Sequence, residues 1–227
     1  MASELPPFTL SAFKLSQSPN PSFKSGQKVD AIPEGKKWLD GEKDGWKVIE
    51  ADTEDPRKLF ALMISGSLHG QLLGREPWPL QIHTALNIRT TKEFTANIIS
   101  TPWVNNANSC DIDAPNDVTE WPLSGLTKAP SLHVEPPRVN ESASSVDCEL
   151  FQDIHIKHPD TGASTQAFIL GLVKAIHVRN DMLTERGTLD PDKFQPVGKL
   201  REILYGTLGK VYRIVRPAWS EEKKAVI

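Results

Sequence analysis

Two stretches in the second half of the chain set the pattern of apolar and polar positions. In "SSVDCELFQDIHIK", Val146, Cys148 and Leu150 alternate with polar neighbours, the period of a strand with one buried face. "QAFILGLVKAIHVRND" is apolar at most positions, as a strand buried on both faces is. Between them "HPDTG" carries turn chemistry, so the two strands are predicted to pair antiparallel as a hairpin. "FTANIIS" alternates as well, and it follows "QIHTALNIRTTKEF", where Ile82, Ala85, Leu86 and Arg89 recur at helical spacing. Thr101-Pro102 and Asp190-Pro191 each place a capping side chain before a proline and so open short helices. "GTLGKVYRIVRP" reads as a closing strand. Strands outnumber helices and are joined by tight turns, which predicts a mainly β fold with peripheral helices, a small antiparallel barrel.

The first third is patterned differently. Residues 1–37 hold Pro6, Pro7, Pro19, Pro21 and Pro33 with no sustained period, and read as an extended arm whose Phe8, Phe13 and Phe23 either pin it to the body or to a partner subunit or lie in a loose tail. The body runs over 38–219 and a short tail over 220–227. Asp40-Gly41 and Asp44-Gly45 mark turns. Asp55 and Pro56 then suit a helix start, with Leu59, Phe60, Leu62 and Met63 following at helical spacing. Next comes "LMISGSLHGQLLGREPWPLQ", in which Gly66, Gly70 and Gly74 interrupt an apolar run. A membrane helix pair would need those glycines inside an unbroken apolar span, and His69, Gln71, Arg75 and Glu76 break it. A phosphate-cradling P-loop would need a Gly-Lys-Ser/Thr ending, which is absent.

Composition narrows the function classes. Of 227 residues, 38% are hydrophobic and 24% charged, enough apolar matter for a core, and the net charge of −3 offers no general attraction to nucleic acid or an anionic membrane. Cys110 and Cys148 stand far apart and read as free thiols. No stretch approaches the ~20 apolar residues of a membrane span, and the amino terminus lacks a secretory pattern, so a cytoplasmic protein is expected. The sequon at Asn140-Glu141-Ser142 would go unused there.

Candidate chemistry is sparse. His155 and His158 lie near Asp153 and Asp160, but residues three apart on a strand face opposite ways, so no metal site is expected. No nucleophile and base occur in a recognisable local signature. "VNNANSCDIDAP" is more informative: Asn105, Asn106, Asn108 and Ser109 concentrate amide and hydroxyl groups on and after a short helix, suited to a planar polar ligand or, equally, to capping and turn chemistry. Thr84 and Arg89 near the start of a predicted helix can supply donors to a phosphate. His177 can face a ligand or be packed within its strand.

Read in order, "NIRTTKEFTANIIS", "NNANSCDIDAPNDVTEWPLSGLT", "PSLHVEPPRVNESASSVDCELFQ", "LGLVKAIHVRNDML", "GTLDPDKFQPVGKL" and "RIVRPAW" resemble the flavin reductase-like family over residues 84–219. The resemblance implies an FMN-binding split β-barrel, usually a homodimer, whose relatives pass reducing equivalents from NAD(P)H to flavin. It also implies an internal deletion, or a faulty gene model, after Gly66, because the family's Pro-Arg-Pro-Ile strand, its Ser-Thr strand end and its Asn-Leu-Ala-Pro-Phe-Ser-like motif have no counterpart here. "SLHGQLLGREPWPLQ" is too short to carry those strands at ~3.3 Å per residue.

By the same resemblance Thr84 matches the threonine of the family's Lys-Asp-Thr motif at the phosphate, although Ile82 and His83 replace its first two residues. Asn108 and Ser109 match the polar helix motif near the cofactor, and Lys199 stands where relatives carry an arginine. Arg201 replaces a glycine in the loop before Tyr205. The expected cofactor contacts are therefore Thr84, Asn108 and Ser109, with Arg89, His177 and Lys199 as further candidates. The other outcome is an inactive remnant or a binding protein of the same fold without a complete FMN site. No catalytic residue is assigned.

Overall fold

In the computed structural model, which describes residues 16–51, 61–66, 83–112, 115, 118–162, 164–201 and 204–209, the elements follow in chain order. They are α1 (Pro33–Asp40), β1 (Trp46–Glu50), β2 (Ala61–Gly66), α2 (His83–Thr91), β3 (Glu93–Asn97), α3 (Val104–Asn108), α4 (Trp121–Ser124), β4 (Lys128–Ala129), β5 (Arg138–Val139), β6 (Ser144–Lys157), β7 (Ser164–Arg179), α5 (Pro191–Phe194), β8 (Val197–Arg201) and β9 (Leu204–Thr207).

The β6–β7 hairpin is the spine, pairing from Ser144 opposite Val178 to Lys157 opposite Ser164 with register shifts after Asp147, Leu150 and Ile156. On the far edge of β7, β1 pairs with its end (Trp46 opposite Arg179) and β2 with its middle (Ala61 opposite Leu172). β3 lies on β6 over Glu93–Asn97, opposite Glu149 to Ser145. All these pairings are antiparallel, and β8 and β9 form a separate hairpin. Among the described residues the main sheet does not close on itself. The architecture is mainly β with peripheral helices, the fold class read from the pattern.

Two cores hold it together. α2 lays Ala85 and Ile88 against Phe94, Cys148, Ile169 and Val173 on the sheet. Gly171 allows this closeness, since a Cβ there would come within 2.4 Å of the Phe94 ring. The second core gathers Val29, Trp38, Trp103, Ala143, Met182 and Phe194. Trp38 on α1 donates from its indole nitrogen to the Glu141 carbonyl at 2.9 Å, and the Arg179 guanidinium stacks 4.4 Å from its ring centre. Arg179 in turn holds Asp181 through two hydrogen bonds of 2.7 and 3.0 Å. The polar arm therefore enters the core at Val29, and α1 behaves as part of the body.

Residues 61–66 differ from the helix expected after Asp55. They form β2, because β7 offers an unpaired edge from Ala167 to Leu172 that satisfies their backbone groups along the whole segment, and pairing overrides a spacing signal only a few residues long. The start of that expected helix (52–60), the glycine-rich stretch after Gly66, Phe8 and Phe13, the tail and most of the expected closing strand lie outside the described residues. Asp190 caps α5 as expected, its Oδ1 accepting from the Asp192 and Lys193 amides. No helix among the described residues is long and apolar enough to cross a membrane.

Candidate functional site

The end of α3 meets the β8–β9 hairpin in a polar cluster. Tyr205 donates its hydroxyl to Asn108 Oδ1 at 2.9 Å. Lys199 donates its ammonium to the Asp111 carboxylate and lies 5.9 Å from the centre of the Tyr205 ring. The hydrogen bond to Asp111 raises the proton affinity of Lys199, and burial raises that of Tyr205, so cation and phenol both keep their protons near neutral pH. The Asn108 side chain is exposed. Asn108 and Lys199 are thus brought together by two residues that sequence reasoning did not assign, Asp111 and Tyr205.

The other polar residues of α3 build the platform. Asn106 is buried and donates from Nδ2 to the carbonyls of Gln27 and Ser124, each at 2.7 Å. Asn105 accepts from the Asn20 amide at 3.3 Å and donates to Ser18 at 3.2 Å. The Ser109 hydroxyl turns onto the carbonyls of Asn106 (2.6 Å) and Leu123 (3.3 Å). Of the amides and hydroxyl in this segment, Asn108 alone looks outward among the described residues. The rest tie the arm and α4 to α3.

Thr84, Arg89 and His177 share no described contact with this cluster. Thr84 is exposed on the first turn of α2. Arg89, five residues on, is engaged by Asp153 through Nε and Nη2, and its Nη2 also lies 3.3 Å from His155 Nε2. The arginine holds the Asp153 carboxyl below the usual carboxylate range. His177 is buried with Nε2 3.0 Å from Asp147 Oδ1, while Asp147 Oδ2 accepts from the amides of Leu132 (2.8 Å) and His133 (3.1 Å). Burial, helped by the charges of Arg138 and His133, lowers the proton affinity of His177 against the pull of Asp147.

Arg138 fixes the same loop, donating from Nε to the Pro130 carbonyl at 3.0 Å and from Nη1 to Ser145 at 3.2 Å. That loop, with Glu93, lines a cavity of about 410 Å³ beside Ser131, His133 and Glu135. A polar Asp147 between Val146 and Cys148 reads in sequence as an outward residue; a register shift between Asp147 and Cys148 lets both be buried. The histidine in an apolar strand was the available signal. Among the described residues no three His, Cys, Asp or Glu side chains are grouped to hold a metal.

A model of the flavin reductase like domain matches residues 80–198. An uncharacterized protein of Halalkalibacterium halodurans is 28% identical over 157 residues, 69% of this chain and 74% of that protein. One from Aquifex aeolicus is 28% identical over 122 residues, 52% of this chain and 56% of that protein. Among solved structures, nitrilotriacetate monooxygenase component B from Bacillus cereus superposes with a TM-score of 0.57 at 20% identity, covering 74% of this chain and 76% of that one. Flavoredoxin of Desulfovibrio vulgaris (Miyazaki F) gives 0.51 at 22% identity, over 74% and 78%. A protein from Shewanella frigidimarina described as a flavin reductase with split barrel domain gives 0.55 at 16% identity, over 90% and 100%. At these identities the structural likeness establishes the fold.

Proposed function

The chain belongs to the flavin reductase-like domain family, and from that membership we propose that it binds FMN and works as an NAD(P)H-dependent flavin reductase or a flavin-linked oxidoreductase. When bound, the isoalloxazine ring supplies the redox chemistry, accepting a hydride, and the protein supplies position and electrostatics. FMN asks for donors along its nitrogen and oxygen edge and for donors or cations at a dianionic phosphate. The donor set fits. Asn108 offers its amide N–H groups at the surface, and the Lys199 ammonium, paired with Asp111, brings a cation to the other side of Tyr205. Thr84 adds a hydroxyl on the first turn of α2, a position where the backbone N–H groups and the dipole of a helix favour an anion. Ser109 contributes by holding the end of α3 rather than by facing out, Arg89 sets the position of Asp153, and His177 supports the wall formed by residues 130–133.

The observation that carries this reading is the outward amide of Asn108, joined through Tyr205 to the Lys199–Asp111 pair, on the domain that matches the family. The test is to add FMN to the purified chain and follow flavin fluorescence and the yellow colour kept after desalting. Retained flavin that bleaches on adding NADH or NADPH supports the reductase. Absence of retention favours the second reading, a remnant of the fold without a working site, for which the commitment of Arg89 to Asp153 speaks. We further propose a homodimer, because Val48 and Ile49 on β1 and Phe151 and Ile154 on β6 leave large apolar side chains exposed.

A further inference from the structure

An asparagine amide has an acceptor at one end and two donors at the other, so its use depends on which end the neighbours occupy. At Asn108 the neighbour is a phenol, which can either donate or accept, and the decision passes one residue further to Lys199. Its ammonium can only donate, and it carries a positive charge on the flank of the Tyr205 ring, where Asp111 anchors it. A cation there draws the phenol oxygen's lone pairs toward itself and turns the O–H away, onto the Asn108 carbonyl oxygen 2.9 Å off. Burial keeps the Tyr205 proton in place. The Asn108 Nδ2 group makes no hydrogen bond to the described residues.

We propose that Tyr205 is a positioning residue for the ligand site: it locks the Asn108 amide with its oxygen inward, so that both N–H groups face out toward the carbonyl and nitrogen rim of the flavin. The inference rests on the reading of this face as the FMN site. Asp111, Lys199 and Tyr205 then form one relay that sets the direction of the amide, and the hairpin β8–β9 acts on the ligand through α3. Tyr205 is partly exposed, so replacing it by phenylalanine keeps the ring and removes only the hydroxyl.

Two measurements test this. Flavin fluorescence titrations of the wild type, Tyr205→Phe, Asn108→Ala and the double variant read the coupling. Loss of one aligned hydrogen bond should raise the FMN dissociation constant of Tyr205→Phe by about three- to tenfold, and Asn108→Ala should abolish that effect, leaving the double variant no weaker than Asn108→Ala alone. Equal loss in both backgrounds overturns the proposal. Independently of flavin, the ¹⁵N-labelled side-chain amide pair of Asn108, identified by its disappearance in Asn108→Ala, should shift in Tyr205→Phe toward free-amide positions. An unmoved pair overturns the proposal even if FMN binds. A wild type that takes up no FMN sinks the flavin reading, while the amide spectrum still decides whether Tyr205 holds Asn108.

Discussion

His177 is a buried base whose proton affinity lies below its ordinary 6.5, and this fixes the sign of its contribution to stability. In the unfolded chain the imidazole takes up a proton as pH falls through about 6.5, whereas in the folded chain it stays neutral to lower pH. Stability is therefore whole above that value and declines as pH falls toward the folded value, by up to about 1.4 kcal/mol per pH unit. The urea midpoint should drop between pH 7 and pH 5, and His177→Gln should flatten that slope; an unchanged slope would assign the acid sensitivity elsewhere. Asp153 has its affinity depressed by Arg89 and acts in a separate window, losing its contribution only as pH falls below its ordinary 3.8. The buried charges around His177 share one task. Asp147 and Arg138 each hold the loop after Pro130 by its backbone, so a change at either should loosen the cavity wall before it loosens the sheet.

Gly171 shows what an element costs to assemble. It faces Leu150 across the hairpin and Leu62 on the other side, and the Phe94 ring occupies the space its side chain would fill. Gly171→Ala must push that ring, itself pinned between Ala85, Ile88 and Cys148, and overpacking of this kind costs about 1–3 kcal/mol. Chemical denaturation should show that loss with an unchanged slope, and a neutral substitution would mean that Phe94 has room to move. The β6–β7 hairpin was legible in the chain because its period, its turn and its length agree. β2 was not, because "ALMISG" becomes a strand only through the edge that β7 presents more than a hundred residues later. The same holds for α3: the segment looked polar, but Asn106 and Ser109 are consumed by carbonyls of Gln27, Ser124 and Leu123, and Asn108 is the residue left facing out. Sequence marks such a segment without dividing it into platform and contact.

At the scale of the whole molecule, resemblance along residues 84–219 located the fold, while the arm's role depended on Val29 reaching, beside Trp38, a core built from distant strands and loops. The cofactor candidates divided in the same way, since Arg89 and His177 looked available until Asp153 and Asp147 were brought beside them. The homodimer proposed above is tested at the apolar side chains that the chain leaves uncovered. Phe151 is 67% exposed in the irregular part of β6, with Ile154 on the same strand, and Val48 and Ile49 are exposed on β1. Burying such a side chain gains roughly 25 cal/mol for every Å² of apolar area taken out of water, a gain the proposed two-fold contact around Phe151 would supply. Light scattering at micromolar concentration should therefore report twice the 25.2 kDa of one chain. Phe151→Asp places a charge in that contact and should return the mass to a single chain, with the circular dichroism of the sheet retained. A wild type that stays at 25.2 kDa up to high concentration would mean that these apolar side chains are tolerated at a free surface and that the protein works alone.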